Sequence, residues 1–231
     1  DLVAQLRGDA DGLRELLVQT IAASHPAWPG EIEEEEYEAC RRFLSNFDTV
    51  YTFNYDLLLY WTQMHTAEGE PPDSDDGFRA SADDFDASYV VWEPGQSHEQ
   101  NMWFLHGALH VFDSGIEIQK YTWSKTGVRL IDQIRDALSK NLFPIFVSEG
   151  TSAEKYERIR HNDYLAKAYR SFGSIGGALF IYGHSLAEND DHYLKCIRKG
   201  KVSHLYVGLY GAPDSDANKF IARRAAQLSD G

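Results

Sequence analysis

Apolar residues recur along this chain with two spacings, one typical of amphipathic helices and one of buried strands. The helical spacing predicts α-helices over residues 2–23, 31–47, 56–65, 126–140, 152–172, 188–199 and 215–228. Short runs rich in aromatic and β-branched residues predict strands or buried apolar segments over 49–53, 89–93, 102–107, 108–112, 116–123, 143–150, 177–183 and 203–211. The regular alternation of strand and helix in the last third is typical of a parallel α/β sheet with right-handed crossovers.

The same pattern predicts a single domain over residues 1–231. Its first part, residues 1–47, is helical and carries the acidic run "EIEEEEYEAC", which is typical of a solvated helix N-terminus. Residues 67–88, "AEGEPPDSDDGFRASADDFDAS", are acidic and rich in Pro and Gly, so we expect an exposed loop or insertion that is mobile and dispensable for folding. The chain starts at Asp1, without a Met and directly in a helical pattern, and we expect it to be a fragment.

Composition excludes several classes of protein. With 231 residues, 43% of them hydrophobic, the chain is long enough to bury a substantial core. A formal charge of -14 argues against direct binding of nucleic acid, which needs clustered Lys and Arg. Two cysteines are too few for a disulfide framework or a four-cysteine zinc site. No signal peptide or membrane span is visible, so we expect a cytoplasmic protein.

The segment "VYTFNYDLLLYW" places two polar side chains where a strand changes to a helix. Asn54 and Asp56 follow the predicted strand, and Asp56 is well placed as a helix N-cap. In open α/β sheets this kind of turn, at the carboxyl end of a strand, is where ligands bind. Asx residues are also common turn formers, so a purely structural role for both side chains remains the alternative.

Two further loops follow predicted strands. His106 and Gly107 follow the strand in "WFLHG", and Gly183, His184 and Ser185 follow the strand in "FIYGHSL". A Gly after a buried strand lets a ligand approach the backbone closely, and a neighbouring Ser offers a hydroxyl group. The alternative for His106 is that it is a buried core histidine without a chemical role.

Taken in order, "FNYD", "LHG" and "YGHSL" resemble the sirtuin-like family, and in particular the sirtuin-like domains of bacterial antiphage defence and their uncharacterised relatives. The resemblance covers roughly residues 45 to 211. It implies a Rossmann-like, mostly parallel sheet with helices on both faces, here with added N-terminal helices and a small β-rich insertion. Two features of the family are missing. No Gly-rich phosphate loop precedes Asn54, so we expect that this loop lies upstream of Asp1 or that dinucleotide binding is impaired. The four-cysteine zinc module of the deacetylases cannot form from the two cysteines of this chain.

The resemblance implies hydrolysis of NAD to nicotinamide and ADP-ribose, with NAD as substrate or ligand and no metal. Asn54 and His106 would be catalytic: the amide would orient the ribose and the attacking water, and the imidazole would take the proton. The resemblance implies cofactor-binding roles for Asp56, Gly107, Gly183 and Ser185. Asp56 would contact the nicotinamide side of NAD, and Gly183 and Ser185 would contact the ribose-phosphate side. Self-association or a partner protein of a defence system is also implied.

Two other functions remain open. The first is a module that binds or senses NAD or ADP-ribose without turnover, inside a larger assembly. The second is a metal-dependent hydrolase built from the His and Asp residues of the three loops: His106, His110, His184, Asp190, Asp191 and His192. The "HGALH" segment has the spacing of two ligands on a helix, but we predict a strand there, which separates the two histidines by about 13 Å.

Overall fold

The computed structural model describes residues 25–66, 74–84, 86–94, 99–122, 129–140 and 142–229, together with scattered positions between 2 and 20. Contacts between residues divide the chain into two compact units, Asp1–Phe146 and Val147–Gly231. That these units form the single domain expected from the sequence stays a prediction. No helix of the described part is long and apolar enough to cross a membrane.

Unit 1 contains most of the strands. The described positions between 2 and 20 are helical, as the sequence predicts. The helices that follow are α1 (Glu34–Leu44), α2 (Leu58–Met64) and α3 (Leu130–Ser139), with a short 3-10 helix at Pro29–Glu31. The strands are β1 (Val50–Thr52), β2 (Phe78–Ala80), β3 (Tyr89–Trp92), β4 (Met102–Phe104), β5 (Gly107–Asp113), β6 (Ile118–Tyr121) and β7 (Pro144–Phe146).

The main sheet of unit 1 is antiparallel. Its five strands lie in the order β2-β3-β6-β5-β7, and every neighbouring pair runs antiparallel. A tight turn at residues 114–117 joins β5 to β6, and such a turn can only reverse the chain, whereas a parallel pair needs a long crossover. The expectation of a Rossmann-like, mostly parallel sheet is therefore wrong, and the β-rich part is the main sheet of the described chain rather than a small insertion.

Parallel pairing occurs in two separate two-stranded sheets. In unit 1, β1 pairs with β4, with Thr52 opposite Phe104. In unit 2, β8 (Gly176–Ile181) pairs with β9 (Lys201–Val207). The helix between β8 and β9 makes the strand–helix–strand crossover that the sequence predicts for this part of the chain.

Unit 2 is otherwise helical. Its helices are α4 (Ser152–Arg160), α5 (Asp163–Gly173), α6 (Asp191–Lys199) and α7 (Asp216–Ser229), with a 3-10 helix at Glu188–Asp190. The single helix predicted over 152–172 is in fact α4 and α5. The break falls at Asn162, whose side chain accepts a hydrogen bond from the Leu165 N–H (3.1 Å) and so starts a new helix.

Part of the acidic segment is built into the sheet of unit 1. Phe78 is buried in β2, and the Asp76 carboxylate pairs with the buried Lys120 ammonium of β6. This part of the segment is therefore not the exposed loop that its composition suggests, and whether folding needs it stays a prediction. Residues 67–73 and 85 lie outside the described residues.

Candidate functional site

Two of the three predicted loops lie side by side in unit 1. Because β1 and β4 are parallel and in register, their carboxyl ends meet at one edge of the pair. The Leu105 N–H donates to the Thr52 carbonyl (2.8 Å), and the Leu109 N–H donates to the Tyr55 carbonyl (2.9 Å), so the two chains stay in contact beyond the strands. The turn that carries Asn54 therefore lies against the segment that carries His106.

The His106 ring lies between the aromatic residues on either side of Asn54 in the sequence. Its centroid is 4.7 Å from that of Phe53, edge to face, and 6.4 Å from that of Tyr55, nearly parallel. His106 is only 2% exposed, whereas Asn54 is exposed. This edge of the pair thus combines a solvent-facing amide with a buried imidazole.

Asp56 has a structural task in the same turn. Its Oδ1 accepts a hydrogen bond from the N–H of Leu58 (2.9 Å), which is the first residue of α2. The N-cap of this helix is Leu57 rather than Asp56. The prediction that Asp56 is the N-cap is therefore wrong by one residue, and Asp56 instead accepts a hydrogen bond across the turn before the helix. The preceding amide, Leu57 N–H, donates to Nε2 of His25 (3.0 Å). Nothing in the sequence around His25 signals this contact, because it joins residues that are far apart in the chain.

Gly107 is explained by packing. Its φ is +81°, and a Cβ at this position would lie 1.9 Å from the Ile145 carbonyl oxygen of the neighbouring region of β7. Glycine is therefore required for the close approach of β5 and β7. Contact of Gly107 with a cofactor stays a prediction.

His110, four residues after His106, points into the core of unit 1. It lies in β5, as the strand prediction for "HGALH" requires, with its ring stacked on Tyr60 at 4.8 Å. Neither ring nitrogen has a hydrogen-bond partner among the described residues. Burial lowers the pKa of His110 well below its usual value, and the nearby Lys120 ammonium lowers this pKa further. This environment is typical of a neutral core histidine.

The third predicted loop belongs to unit 2 and follows β8. Gly183 is exposed with φ +66°, and a Cβ there would meet no atom within 4 Å, so its backbone is open to an approaching ligand. Ser185 is exposed as well. Leu186 is fully buried and yet has φ +53°, a left-handed conformation that is rare outside glycine and that occurs often at functional sites.

Side chains from three elements hold this loop. Nδ1 of His184 accepts the Leu186 N–H (2.9 Å), and Nε2 of His184 lies 3.3 Å from Oδ2 of Asp190. The other oxygen of Asp190 accepts a hydrogen bond from the Lys155 ammonium of α4 (2.9 Å), and both side chains are largely buried. From α7, the Arg224 Nε donates to the Leu186 carbonyl (3.0 Å).

His192 is part of the link between α4 and α6. Its backbone N–H donates to the Ser152 hydroxyl (2.8 Å), and that hydroxyl lies 3.2 Å from Nδ1 of the same histidine. Burial lowers the pKa of His192 to about 4, against an opposing effect of Asp190. His192 is therefore neutral at pH 7, and the carboxylates of Asp190 and Asp191 already pair with Lys155 and Arg224.

Comparison with known proteins gives one match. No curated protein and no solved structure matches the chain. A family defined as a domain of unknown function, DUF4917, matches residues 4–230, which is nearly the whole sequence. The chain belongs to the DUF4917 family.

Proposed function

We propose that this chain is a sirtuin-like domain that binds NAD and hydrolyses it to nicotinamide and ADP-ribose, in bacterial antiphage defence. The observation that carries the proposal is the pairing of an exposed Asn54 with a buried His106 at the shared carboxyl end of β1 and β4. This is where ligands bind to parallel strands, and the two residue types are the ones that the chemistry requires.

Cleavage of the bond between ribose and nicotinamide passes through an oxocarbenium-like state. The leaving group is a cationic pyridinium, so no strong general acid is needed. The site has to hold the ribose and orient one water molecule. The Asn54 amide both donates and accepts hydrogen bonds and can do both tasks. The His106 imidazole, which packs against Phe53 and Tyr55, takes the proton from the water.

By the family resemblance, Gly183 and Ser185 are the proposed contacts to the ribose-phosphate side of NAD. The open backbone at Gly183 and the exposed Ser185 hydroxyl support this role, together with the strained conformation of Leu186. Self-association or a defence-system partner protein is proposed on the family resemblance.

A module that binds NAD or ADP-ribose without turnover is the second candidate function. The sequence before Asn54, which carries no Gly-rich phosphate loop, favours it. Calorimetry with NAD and with ADP-ribose, run beside an assay for released nicotinamide, separates the two functions. Binding without any release of nicotinamide supports the module and contradicts the enzyme.

Variants of Asn54 test the enzyme directly. Asn54→Ala and His106→Ala should each lower nicotinamide release by about 10²–10⁴-fold, as for a lost catalytic group, while the protein stays folded. The double variant should be little worse than either single one, because residues that act together are not additive. Asn54→Asp keeps the size and the turn chemistry but loses the amide donor, so it should also be inactive.

Asn46→Ala is the matched control. Asn46 is an exposed Asn of the same unit, and its side chain only donates to the carbonyls of Arg42 and Phe43 (both 2.9 Å) at the end of α1. It should lose a little stability and no activity. Normal turnover by a folded Asn54→Ala protein would end the catalytic interpretation, and "FNYD" would then be only a turn.

A further inference from the structure

The hydrogen bonds of His25 fix the position of its ring proton. The Leu57 N–H donates to Nε2 (3.0 Å), so Nε2 is an acceptor and carries no proton. Nδ1 lies 2.7 Å from the Pro26 carbonyl oxygen, which can only accept. The neutral ring with its proton on Nδ1 is the only form that makes both bonds.

This ring completes the start of α2. The first N–H groups of a helix have no hydrogen-bond partner within the helix. At the start of α2, the N–H groups of Leu57 and Leu58 directly follow the Asn54 turn and need partners from outside the helix. Asp56 accepts the Leu58 N–H from within the turn, while His25 accepts the Leu57 N–H from 32 residues away in the chain. Leu57 is buried and its hydrogen bond to His25 is partly buried, so loss of this acceptor leaves the amide poorly satisfied.

A second contact sets the angle of the ring. His25 meets Trp61, one helical turn further along α2, edge to face with 4.8 Å between ring centroids. Trp61 is buried and forms part of the core of unit 1. The imidazole is thus held at the helix start by packing and by its two hydrogen bonds.

We propose that His25, protonated on Nδ1, is the positioning residue of the Asn54 turn. His25 and Asp56 accept hydrogen bonds from the two backbone N–H groups that follow the turn. Before them, the Tyr55 carbonyl accepts a hydrogen bond from the Leu109 N–H. These contacts hold the backbone of the turn after Asn54, beside the segment that carries His106. The effect on catalysis rests on the NAD hydrolysis proposed above, whereas the tautomer and the amide bond can be measured without substrate.

Hydrogen exchange at the Leu57 amide is the first test. His25→Ala leaves a buried amide without an acceptor, and we expect it to exchange about 10- to 100-fold faster. His25→Gln places an amide oxygen near the position of Nε2 and should restore slow exchange, although it lacks the flat ring. In the wild type, the nitrogen chemical shifts of His25 should show the proton on Nδ1.

His65→Ala is the matched control, because His65 is the C-cap residue of α2. Its ring stacks on Tyr37 at 4.1 Å and pairs with Glu34 at 2.7 Å, at the opposite end of the helix. This variant should leave the Leu57 amide unchanged. Unchanged exchange at Leu57 in His25→Ala, or a ring proton on Nε2, would overturn the proposal.

Nicotinamide release tests the link to catalysis. If the wild type is active, His25→Ala should lower kcat more than it changes KM, and His25→Gln should recover most of the loss. A wild-type kcat in folded His25→Ala would overturn the positioning role and leave NAD hydrolysis standing. An inactive wild type would instead refute NAD hydrolysis, while the exchange and chemical-shift results still decide the role of His25 in the turn.

Discussion

Asp76→Asn removes one charge from a buried ion pair in unit 1. The Lys120 side chain is 5% exposed and that of Asp76 is 12% exposed. The Lys120 ammonium contacts the Asp76 carboxylate and lies over the rings of Tyr60 and Phe78, at 4.6 and 4.9 Å from their centroids. The substitution keeps the shape of residue 76 and the oxygen that accepts the Phe78 N–H (3.2 Å). It therefore tests the charge of Asp76 alone.

The expected cost follows from desolvation. Removing one partner of a buried pair leaves an uncompensated charge and costs about 3–5 kcal/mol. The two rings still attract the ammonium, and a desolvated cation–π contact contributes about 2 kcal/mol. We therefore expect the free energy of unfolding of unit 1 to fall by about 1–3 kcal/mol. Adding Lys120→Met to Asp76→Asn should recover much of this loss, because the charge without a partner is then gone.

Urea unfolding followed by tryptophan fluorescence measures this change in unit 1. All five tryptophans lie before residue 147, so the signal reports that unit alone. The control is Asp136→Asn in α3, where Lys140 makes the same kind of pair at 2.7 Å with side chains 57% and 51% exposed. Its cost should be about 0.3–0.5 kcal/mol. Equal losses in the two variants would show that burial of the Lys120 pair does not matter and would refute the argument.

Two further predictions concern a glycine and a histidine. Gly107→Ala should destabilise unit 1 far more than Gly115→Ala. Both glycines have φ +81°, but only a Cβ at residue 107 would collide with a carbonyl oxygen. Gly115→Ala should therefore lower the free energy of unfolding by only about 1–2 kcal/mol, measured by urea unfolding. Equal losses would contradict the packing role of Gly107. His192 has its pKa lowered from 6.5 to about 4, so the unfolded chain takes up a proton between these values that the folded chain does not. The free energy of unfolding of unit 2 should therefore fall by up to about 3 kcal/mol as the pH falls through this window. Hydrogen exchange in α6 measures this loss, and a folded His192→Gln protein with the same pH dependence would contradict the prediction.

Local patterns in the sequence predict several elements correctly. The aromatic and β-branched run before Asn54 is a strand, the apolar run after Asp56 is a helix, and "GALFIYG" is a parallel strand. These features depend on neighbouring residues, whose side chains determine local backbone preference.

Features that depend on distant contacts could not be predicted. Strand pairing is one, since the runs that form β3, β5 and β6 fit a parallel or an antiparallel sheet equally well by composition. The acidic segment is another, because its place in the sheet depends on pairing with β3 and on the buried Lys120, and no local pattern connects either to this segment. The cap from His25 is a third. By contrast, the helix break at Asn162 has a local signal in "HND", where an Asn precedes an Asp and an apolar residue, as at many helix starts.

The backbone of Leu186 restricts which amino acids this position can accept during evolution. Glycine would relieve the left-handed φ of +53° but would leave a cavity where a fully buried side chain now packs. Isoleucine and valine would fill the space, but a branched Cβ makes this backbone conformation much more strained. Asparagine suits the backbone and would bury an amide. Leucine, and methionine of similar volume, satisfy both demands, so we expect Leu186 to vary far less than the exposed Asn189 that follows it.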